Sequence, residues 1–325
     1  TFMVQKLAND LYRIIIPLPN SPLKDLNSYV IKGKDRNLII DTGFNRTVCY
    51  EAMQQGLKEL QIDLNRTDFM LTHMHADHTG LVQKLATGSS RIFFSRIDSQ
   101  VFDEDKSWQP LIDYAQINGF PADELEKALH SHPGFKYSPE RKPVFTLIED
   151  GHIIECGDYR LRCIATPGHT QGHICLYEEQ KKLFFTGDHI LFDITPHIES
   201  WSYSTNSLAD YIASLDKVYN LDVDMVLPGH RNFLGNLKSR IDELKTHHRD
   251  RANEVMDVLG NKTMNAYEIA GGMTWDIDCE RWEDFPIAQK WFATGEAIAH
   301  LRYLESENRI HRDASGTIVT FRAIN

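Results

Sequence analysis

The chain has 325 residues, of which 42% are hydrophobic and 25% are charged, and its formal net charge is −11. This composition is typical of a globular protein with length for one large and one smaller domain. The negative charge disfavours nucleic acid as a partner, and no apolar run is long enough to span a membrane. Five cysteines without a Cys-x-x-Cys pair argue against a disulfide framework and favour a reducing, cytoplasmic location.

The first part of the chain has the pattern of a β-sheet with one helix. Short apolar runs between turn residues predict strands at 11–16, 28–31 and 38–40, and helical spacing predicts a helix at 47–61. The third strand ends at Asp41, and a carboxylate at the end of a buried strand needs a partner. Asp41 either bonds to the backbone of the turn or accepts a hydrogen bond from a metal-bound histidine.

The next segment concentrates ligand-type side chains. It holds three histidines and an aspartate in six positions: His73, His75, Asp77 and His78. Imidazole nitrogen and carboxylate oxygen are the usual protein ligands of zinc and its first-row neighbours. The apolar run 69–71 precedes them, and a strand there would aim them rigidly at one point. A polar loop rich in histidine is the alternative, but the recurrence of such residues downstream favours a metal site.

Three later apolar runs also end in ligand-type residues. Residues 161–165 lead to His169, residues 183–185 lead to Asp188, and residues 225–227 lead to His230. A glycine lies before each ligand and allows a sharp turn beside it. We therefore expect separate strands to deliver ligands to one edge of the sheets.

Other parts of the chain predict additions to this core. Residues 97–145 are acidic, punctuated by proline and partly helical, which is typical of an insert that acts as a lid or substrate-binding cap. We assign 1–250 to a catalytic domain and 251–325 to a C-terminal domain. The C-terminal pattern of helices followed by two short strands resembles a winged helix. Amphipathic helices are also predicted, at 208–219 and 236–259.

Four motifs in this order resemble the metallo-β-lactamase fold superfamily. They are His73-Met74-His75-Ala76-Asp77-His78, Thr166-Pro167-Gly168-His169, Gly187-Asp188 and Pro228-Gly229-His230. The resemblance covers roughly residues 8 to 235. It implies an α/β fold, an αββα sandwich with metals at one edge between the sheets. Similar branches are glutathione thioesterases, lactonases, and β-lactamase-like proteins with a C-terminal winged helix, which include endoribonucleases.

The resemblance also implies how the ligands are sorted. His73, His75 and His169 would hold one ion, Asp77, His78 and His230 the second, and Asp188 would bridge the two. Two cations about 3.5–4 Å apart share a water and yield hydroxide at neutral pH, which attacks a carbonyl or phosphoryl centre. Asp77 would orient this water or accept its proton. Zinc is the expected metal, although iron and manganese also suit this ligand set.

The favoured function is hydrolysis of an ester, thioester or lactone of a small molecule. Trp201 and Tyr203 would shape its amphipathic pocket, although packing in the core is an equal alternative for both. The competing function is a metal-dependent phosphodiesterase or endoribonuclease. Against it, residues 250–325 hold eight Lys and Arg and thirteen Asp and Glu, a net charge of −5. Such a tail is expected to pack on the catalytic domain or on a second subunit in a homodimer.

Two differences from the family limit which of its substrate-binding features can be expected in this chain. The 97–145 insert is longer than in the plain thioesterases, and the basic substrate-contacting residues of those enzymes are not identifiable in this chain. A redox di-iron role is disfavoured because the flavodiiron branch typically has Glu where this chain has His75, and because it brings a flavin domain. β-Lactamase activity is also disfavoured, since those enzymes act outside the cytoplasm.

Overall fold

The computed structural model describes residues 4–103, 107–232 and 235–324. The early apolar runs form a seven-stranded sheet in which spatial order follows chain order. Its strands are β1 (Val4–Ala8), β2 (Leu11–Pro17), β3 (Asp25–Ile31), β4 (Asn37–Ile40), β5 (Thr67–Met70), β6 (Ile92–Ser95) and β7 (Thr146–Ile148). The first four strands pair antiparallel, and β4 to β7 pair parallel.

The later apolar runs form a five-stranded sheet with the spatial order β12-β11-β10-β9-β8. Its strands are β8 (Ile153–Cys156), β9 (Tyr159–Ala165), β10 (Ile174–Glu178), β11 (Leu183–Gly187) and β12 (Met225–Pro228). A two-stranded hairpin, β13 (Ile310–Asp313) and β14 (Thr320–Ala323), lies near the end of the chain.

Ten α-helices connect and cover these strands in the described part of the chain. They are α1 (Thr47–Glu59), α2 (Ala76–Thr79), α3 (Val82–Leu85), α4 (Gln109–Ile117), α5 (Leu125–Ser131), α6 (Pro133–Tyr137), α7 (Ser207–Val218), α8 (Leu237–Leu259), α9 (Ala266–Gly272) and α10 (Ile287–Ser306). Among the described residues, none of these helices combines the length and the apolar character needed to cross a membrane.

The layers form an αββα sandwich, as predicted. Met53 of α1 is fully buried against one face of the seven-stranded sheet. The two sheets pack face to face, where the rings of Tyr29 and Phe185 lie 5.4 Å apart. On the far side, Leu208 and Leu215 of α7 pack against the outer face of the five-stranded sheet. Three buried apolar clusters therefore hold the four layers together.

The strand directions bring the ligand-bearing loops to one edge. Strands β4 and β5 are parallel, β11 and β12 are parallel, and β9 runs with β11 because each is antiparallel to β10. Two backbone hydrogen bonds join the sheets at this edge: Asn27 N–H donates to Gly229 O at 2.7 Å, and Ile174 N–H donates to Thr72 O at 2.9 Å. The strands that carry the predicted ligands therefore end close together.

The 97–145 insert and the C-terminal segment pack on each other. The insert forms a 3-10 helix (Asp98–Phe102) and the helices α4 to α6, although its residues 104–106 lie outside the described ranges. Phe120 and Leu125 of the insert are buried with Trp291 of α10. An isolated bridge between Met264 and Phe321 extends the C-terminal hairpin. Helix α8 runs through residue 250, and the division into two domains and the winged-helix resemblance stay predictions.

A buried carboxylate on β5 provides a test of the sheet's stability. Asp68 accepts hydrogen bonds from Arg36 Nη2 at 2.7 Å and from the Arg91 backbone N–H at 2.9 Å. Burial alone would raise the pKa of Asp68, but the hydrogen bonds from Arg36 and Arg91 lower it. Its folded pKa is thus below its unfolded value of about 3.9, so its stabilisation is present above that pH and is lost as the pH falls through the folded value.

We expect Asp68→Asn to lower the free energy of unfolding at pH 7 by about 2 kcal/mol, measured by urea denaturation. The difference from wild type should shrink as the pH is lowered below about 4. Glu149→Gln is the control, because its ion pair with Arg96 is exposed and should contribute less than about 1 kcal/mol. A difference that stays constant with pH would contradict the role of the ionised carboxylate.

Candidate metal centre

The structure brings all seven predicted ligand side chains together at the joined edge of the sheets. Three sets of ligand atoms each lie within 4.8 Å of one another: His73, His75 and His169; His73, His78 and Asp188; and Asp77, His78 and His230. Six of the seven residues are buried, and His75 is partly exposed. The sets overlap in His73 and His78, so the seven groups form one continuous cluster.

One half of the cluster consists of neutral imidazoles. His73 Nε2 and His75 Nδ1 lie 3.1 Å apart, and the His169 ring lies edge-on to both rings. Burial lowers the pKa of His73 well below its ordinary value and that of His75 to about 3, and it also lowers the pKa of His169. These rings are therefore unprotonated at neutral pH and can donate nitrogen lone pairs.

The other half combines histidines with carboxylates. His230 Nε2 lies 3.2 Å from Asp77 Oδ2 and 3.3 Å from Asp188 Oδ2. Burial alone would lower the pKa of His230, but Asp188 and Asp77 raise it to about 10. Burial alone would raise the pKa of Asp188, but His230 and His78 lower it well below its ordinary value. The two carboxylates are therefore ionised and hold a proton on His230, and a divalent cation can take the place of that proton.

Three of the histidines are oriented from behind by hydrogen-bond acceptors. His78 Nδ1 lies 2.7 Å from Asp41 Oδ2, His230 Nδ1 lies 2.7 Å from Asp25 O, and His169 Nδ1 lies 2.6 Å from His197 O. Carboxylate and carbonyl oxygens only accept, so each Nδ1 must carry its hydrogen. In the neutral ring the lone pair is then on Nε2, which faces the cluster.

These features fit bound divalent cations. Among the described residues, His169 Nε2 and Asp188 Oδ1 are buried without a hydrogen-bond partner. The Nε2 atoms of His78 and His230 face each other at 3.3 Å, where two lone pairs would repel without a proton or cation between them. A metal ion would satisfy these buried atoms. The set of imidazole nitrogen and carboxylate oxygen atoms suits zinc, iron or manganese.

Glycine allows the strand ends to approach this closely. Gly187, directly before Asp188, has a φ of +47°, which favours glycine. A Cβ at this position would lie 2.7 Å from His173 Nε2 and 2.9 Å from Thr72 Cβ. His173 Nε2 accepts the Asp188 backbone N–H at 3.1 Å. The predicted glycine before this ligand thus has a steric reason.

Sequence reasoning missed Asp98, a buried residue at the start of the insert. Its Oδ2 accepts the Met74 N–H at 2.9 Å and the Thr170 hydroxyl at 2.7 Å, and its Oδ1 accepts the Gly172 N–H at 2.7 Å. Burial raises the pKa of Asp98 to about 6. Asp98 therefore ties the loop of His73 and His75 to the loop of His169. No local motif marks it, because its partners are distant in the sequence.

The predicted pocket residues contact the C-terminal segment. The Trp201 ring stacks on Trp291, with centroids 4.1 Å apart, and its Nε1–H donates to Glu199. The Tyr203 ring lies against Arg302 and Arg312. A role for Trp201 and Tyr203 in substrate binding stays a prediction.

The four-layer fold and the buried cluster of histidines and aspartates define a metal-dependent hydrolase. Residues 24–230 match the family model described as "Metallo-beta-lactamase superfamily". The chain belongs to this superfamily, as its motifs predicted.

Similar proteins agree with this assignment. "Probable metallo-hydrolase YqjP" from Bacillus subtilis (strain 168) is 25% identical over 331 residues, which cover 98% of this chain and 99% of that protein. "Acyl-coenzyme A thioesterase MBLAC2" from Homo sapiens is 25% identical over 225 residues, which cover 64% of this chain and 74% of that protein. The crystal structure of a metallo-beta-lactamase family protein from Thermus thermophilus has a TM-score of 0.83 and 25% identity, and the match covers 98% of this chain and 100% of that chain.

The contact between Asp41 and His78 generates a test. Asp41 Oδ1 accepts the Thr72 N–H at 2.8 Å while Oδ2 faces His78 Nδ1. We expect Asp41→Asn to weaken Zn(II) binding about 10- to 100-fold. The amide has one acceptor oxygen and one NH2 donor, so its NH2 group would face either the Thr72 N–H or the His78 Nδ1–H, which are both donors. Competition with a chromophoric chelator measures this affinity.

Asp193→Asn is the matched control, since Asp193 is exposed and bonds only to the Asn232 N–H among the described hydrogen bonds. Equal Zn(II) affinities for both variants and the wild type would contradict the orienting role of Asp41.

Proposed function

We propose that this chain is a dinuclear metal-dependent hydrolase that cleaves an ester, thioester or lactone of a small molecule. The observation that supports this most directly is that one buried carboxylate reaches both halves of the cluster. Asp188 Oδ1 lies 3.4 Å from His78 Nε2, and Asp188 Oδ2 lies 3.6 Å from His169 Nε2. A carboxylate shared by two ligand sets can contact two neighbouring ions at once, which supports a two-metal site.

The proposed ligand assignment follows the two halves. His73, His75 and His169 hold one ion, Asp77, His78 and His230 hold the other, and Asp188 contributes to both. Zinc is the first candidate, and iron and manganese are the alternatives. When bound, such a pair of ions lowers the pKa of water and polarises the substrate's carbonyl oxygen.

Asp77 is the proposed catalytic residue. Burial alone would raise its pKa, but His78 and His230 lower it to about 2, so the carboxylate is ionised at neutral pH. It can then orient the attacking water and accept its proton. The water oxygen forms a bond to the carbonyl carbon, the bond to the leaving oxygen or sulfur breaks, and the leaving group takes up the proton. The products are a carboxylic acid and an alcohol or a thiol.

A carbonyl substrate is favoured over a phosphodiester by two observations. A relative with 25% identity carries the name acyl-coenzyme A thioesterase. In addition, the C-terminal segment has a net charge of −5, whereas a nucleic-acid-binding module presents a basic face. We therefore propose a small molecule as the partner, with the 97–145 insert as the lid of its pocket.

A substrate panel tests this function. Zn(II)-loaded protein is assayed on acyl thioesters, aryl esters and lactones, and we expect hydrolysis of at least one class. Removal of the metal with a chelator should abolish activity, and added metal should restore it. Asp188→Asn should lower kcat/KM by about 100-fold or more, because the shared ligand is lost. Asp193→Asn, which changes an exposed carboxylate, should keep wild-type activity.

Two results would contradict the proposal. A metal-replete protein inert on the whole panel would argue against a carbonyl substrate. Cleavage of single-stranded RNA by the wild type but not by Asp77→Ala would instead support the phosphodiesterase alternative.

A further inference from the structure

The His169 side chain depends on a loop without regular secondary structure. Its Nδ1 donates to the backbone oxygen of His197 at 2.6 Å. His197 lies in the connection between β11 and α7, where neither a helix nor a sheet fixes the backbone. The position of this carbonyl must therefore be set by other contacts.

The His197 side chain provides such a contact. Its Nε2 lies 3.3 Å from Glu199 Oε2, and its Nδ1 lies 3.3 Å from Glu296 Oε2. Glu199 belongs to the same loop, whereas Glu296 belongs to α10 in the C-terminal segment. The pair of His197 and Glu296 therefore ties the loop to a helix far along the chain.

Helix α10 offers a firm support for this loop. Glu296 Oε1 lies 3.3 Å from Arg251 Nε of α8, so the carboxylate is held from both sides. The Ser200 N–H donates to Gly295 O at 3.1 Å, which joins the loop backbone to α10 directly. A Cβ at Gly295 would lie 2.9 Å from the Trp201 indole, so loop and helix are in close contact.

We propose that Glu296 is a positioning residue of the metal centre: through its contact with His197 it holds the carbonyl that orients the His169 imidazole. The inference rests on the proposed function, because it takes His169 as a metal ligand. The C-terminal helix α10 would then help to form the metal centre, because it supports the loop whose His197 carbonyl accepts from His169 Nδ1.

The test compares Glu296→Ala with Glu254→Ala in the full chain. Glu254 is a matched control because it pairs with Arg251 in the same cluster, whereas its described contacts do not include the loop. We expect Glu296→Ala to bind Zn(II) about 10- to 100-fold more weakly at one of two sites, measured by competition with a chromophoric chelator. Glu254→Ala should keep wild-type affinity at both sites.

A spectroscopic readout separates positioning from loss of stability. The visible absorption of Co(II)-loaded protein depends on the ligand geometry, so Glu296→Ala should change this spectrum and Glu254→Ala should not. Glu296→Gln retains an oxygen that can accept from His197 Nδ1, and it should lose less affinity than the alanine variant. If Glu296→Ala does not fold, His197→Gln removes the same contact from the loop side.

The outcomes distinguish this inference from the proposed function. If the wild type binds two ions, and Glu296→Ala and His197→Gln keep its metal affinities and cobalt spectrum, the positioning role of Glu296 is overturned and the proposed function is not. A wild type that binds neither Zn(II) nor Co(II) would overturn the proposed function, and the inference with it.

Discussion

Buried negative charge is the constraint on which this structure depends. Asp41, Asp77 and Asp188 are nearly inaccessible to solvent, and their ion-pair partners are histidine rings. Burying a carboxylate without compensation is costly, and removing one partner of a buried pair leaves the other uncompensated. A bound cation relieves this cost, so the affinity for metal and the shape of the cluster have the same physical origin.

The rest of the fold holds the ligands so that they meet this constraint. Strands that run in one direction bring the ligand-bearing turns to a common edge, and Gly187 allows the turns to touch. Behind the ligands, acceptors on Asp41, Asp25 and His197 set which ring nitrogen faces inward. The sandwich supplies two of these acceptors, and a loop that packs on α10 supplies the third. A hydrolase site of this kind is thus a property of the whole chain and not of one motif.

The sequence predicted the ligands because their signal is local. Each follows an apolar run within a few residues, and the family motifs order them, so the sandwich and the cluster could both be anticipated. Asp98 and Glu296 carried no such signal, because their partners are distant in the chain and only the folded structure brings them together. Strands β1, β7, β8 and β10 were also not predicted: β7 has only three residues, and β10 begins at Ile174, a few residues after His169.

We propose that separate strand ends hold a pair of cations between them. Anomalous diffraction from crystals of protein purified without chelator tests it most directly, with data on both sides of the zinc, iron and manganese absorption edges. We expect two peaks about 2.0–2.3 Å from the ligand atoms, one at His73, His75 and His169 and one at Asp77, His78 and His230, with Asp188 in contact with both. A cluster without an anomalous peak, or with a single peak that Asp188 does not touch, would contradict it.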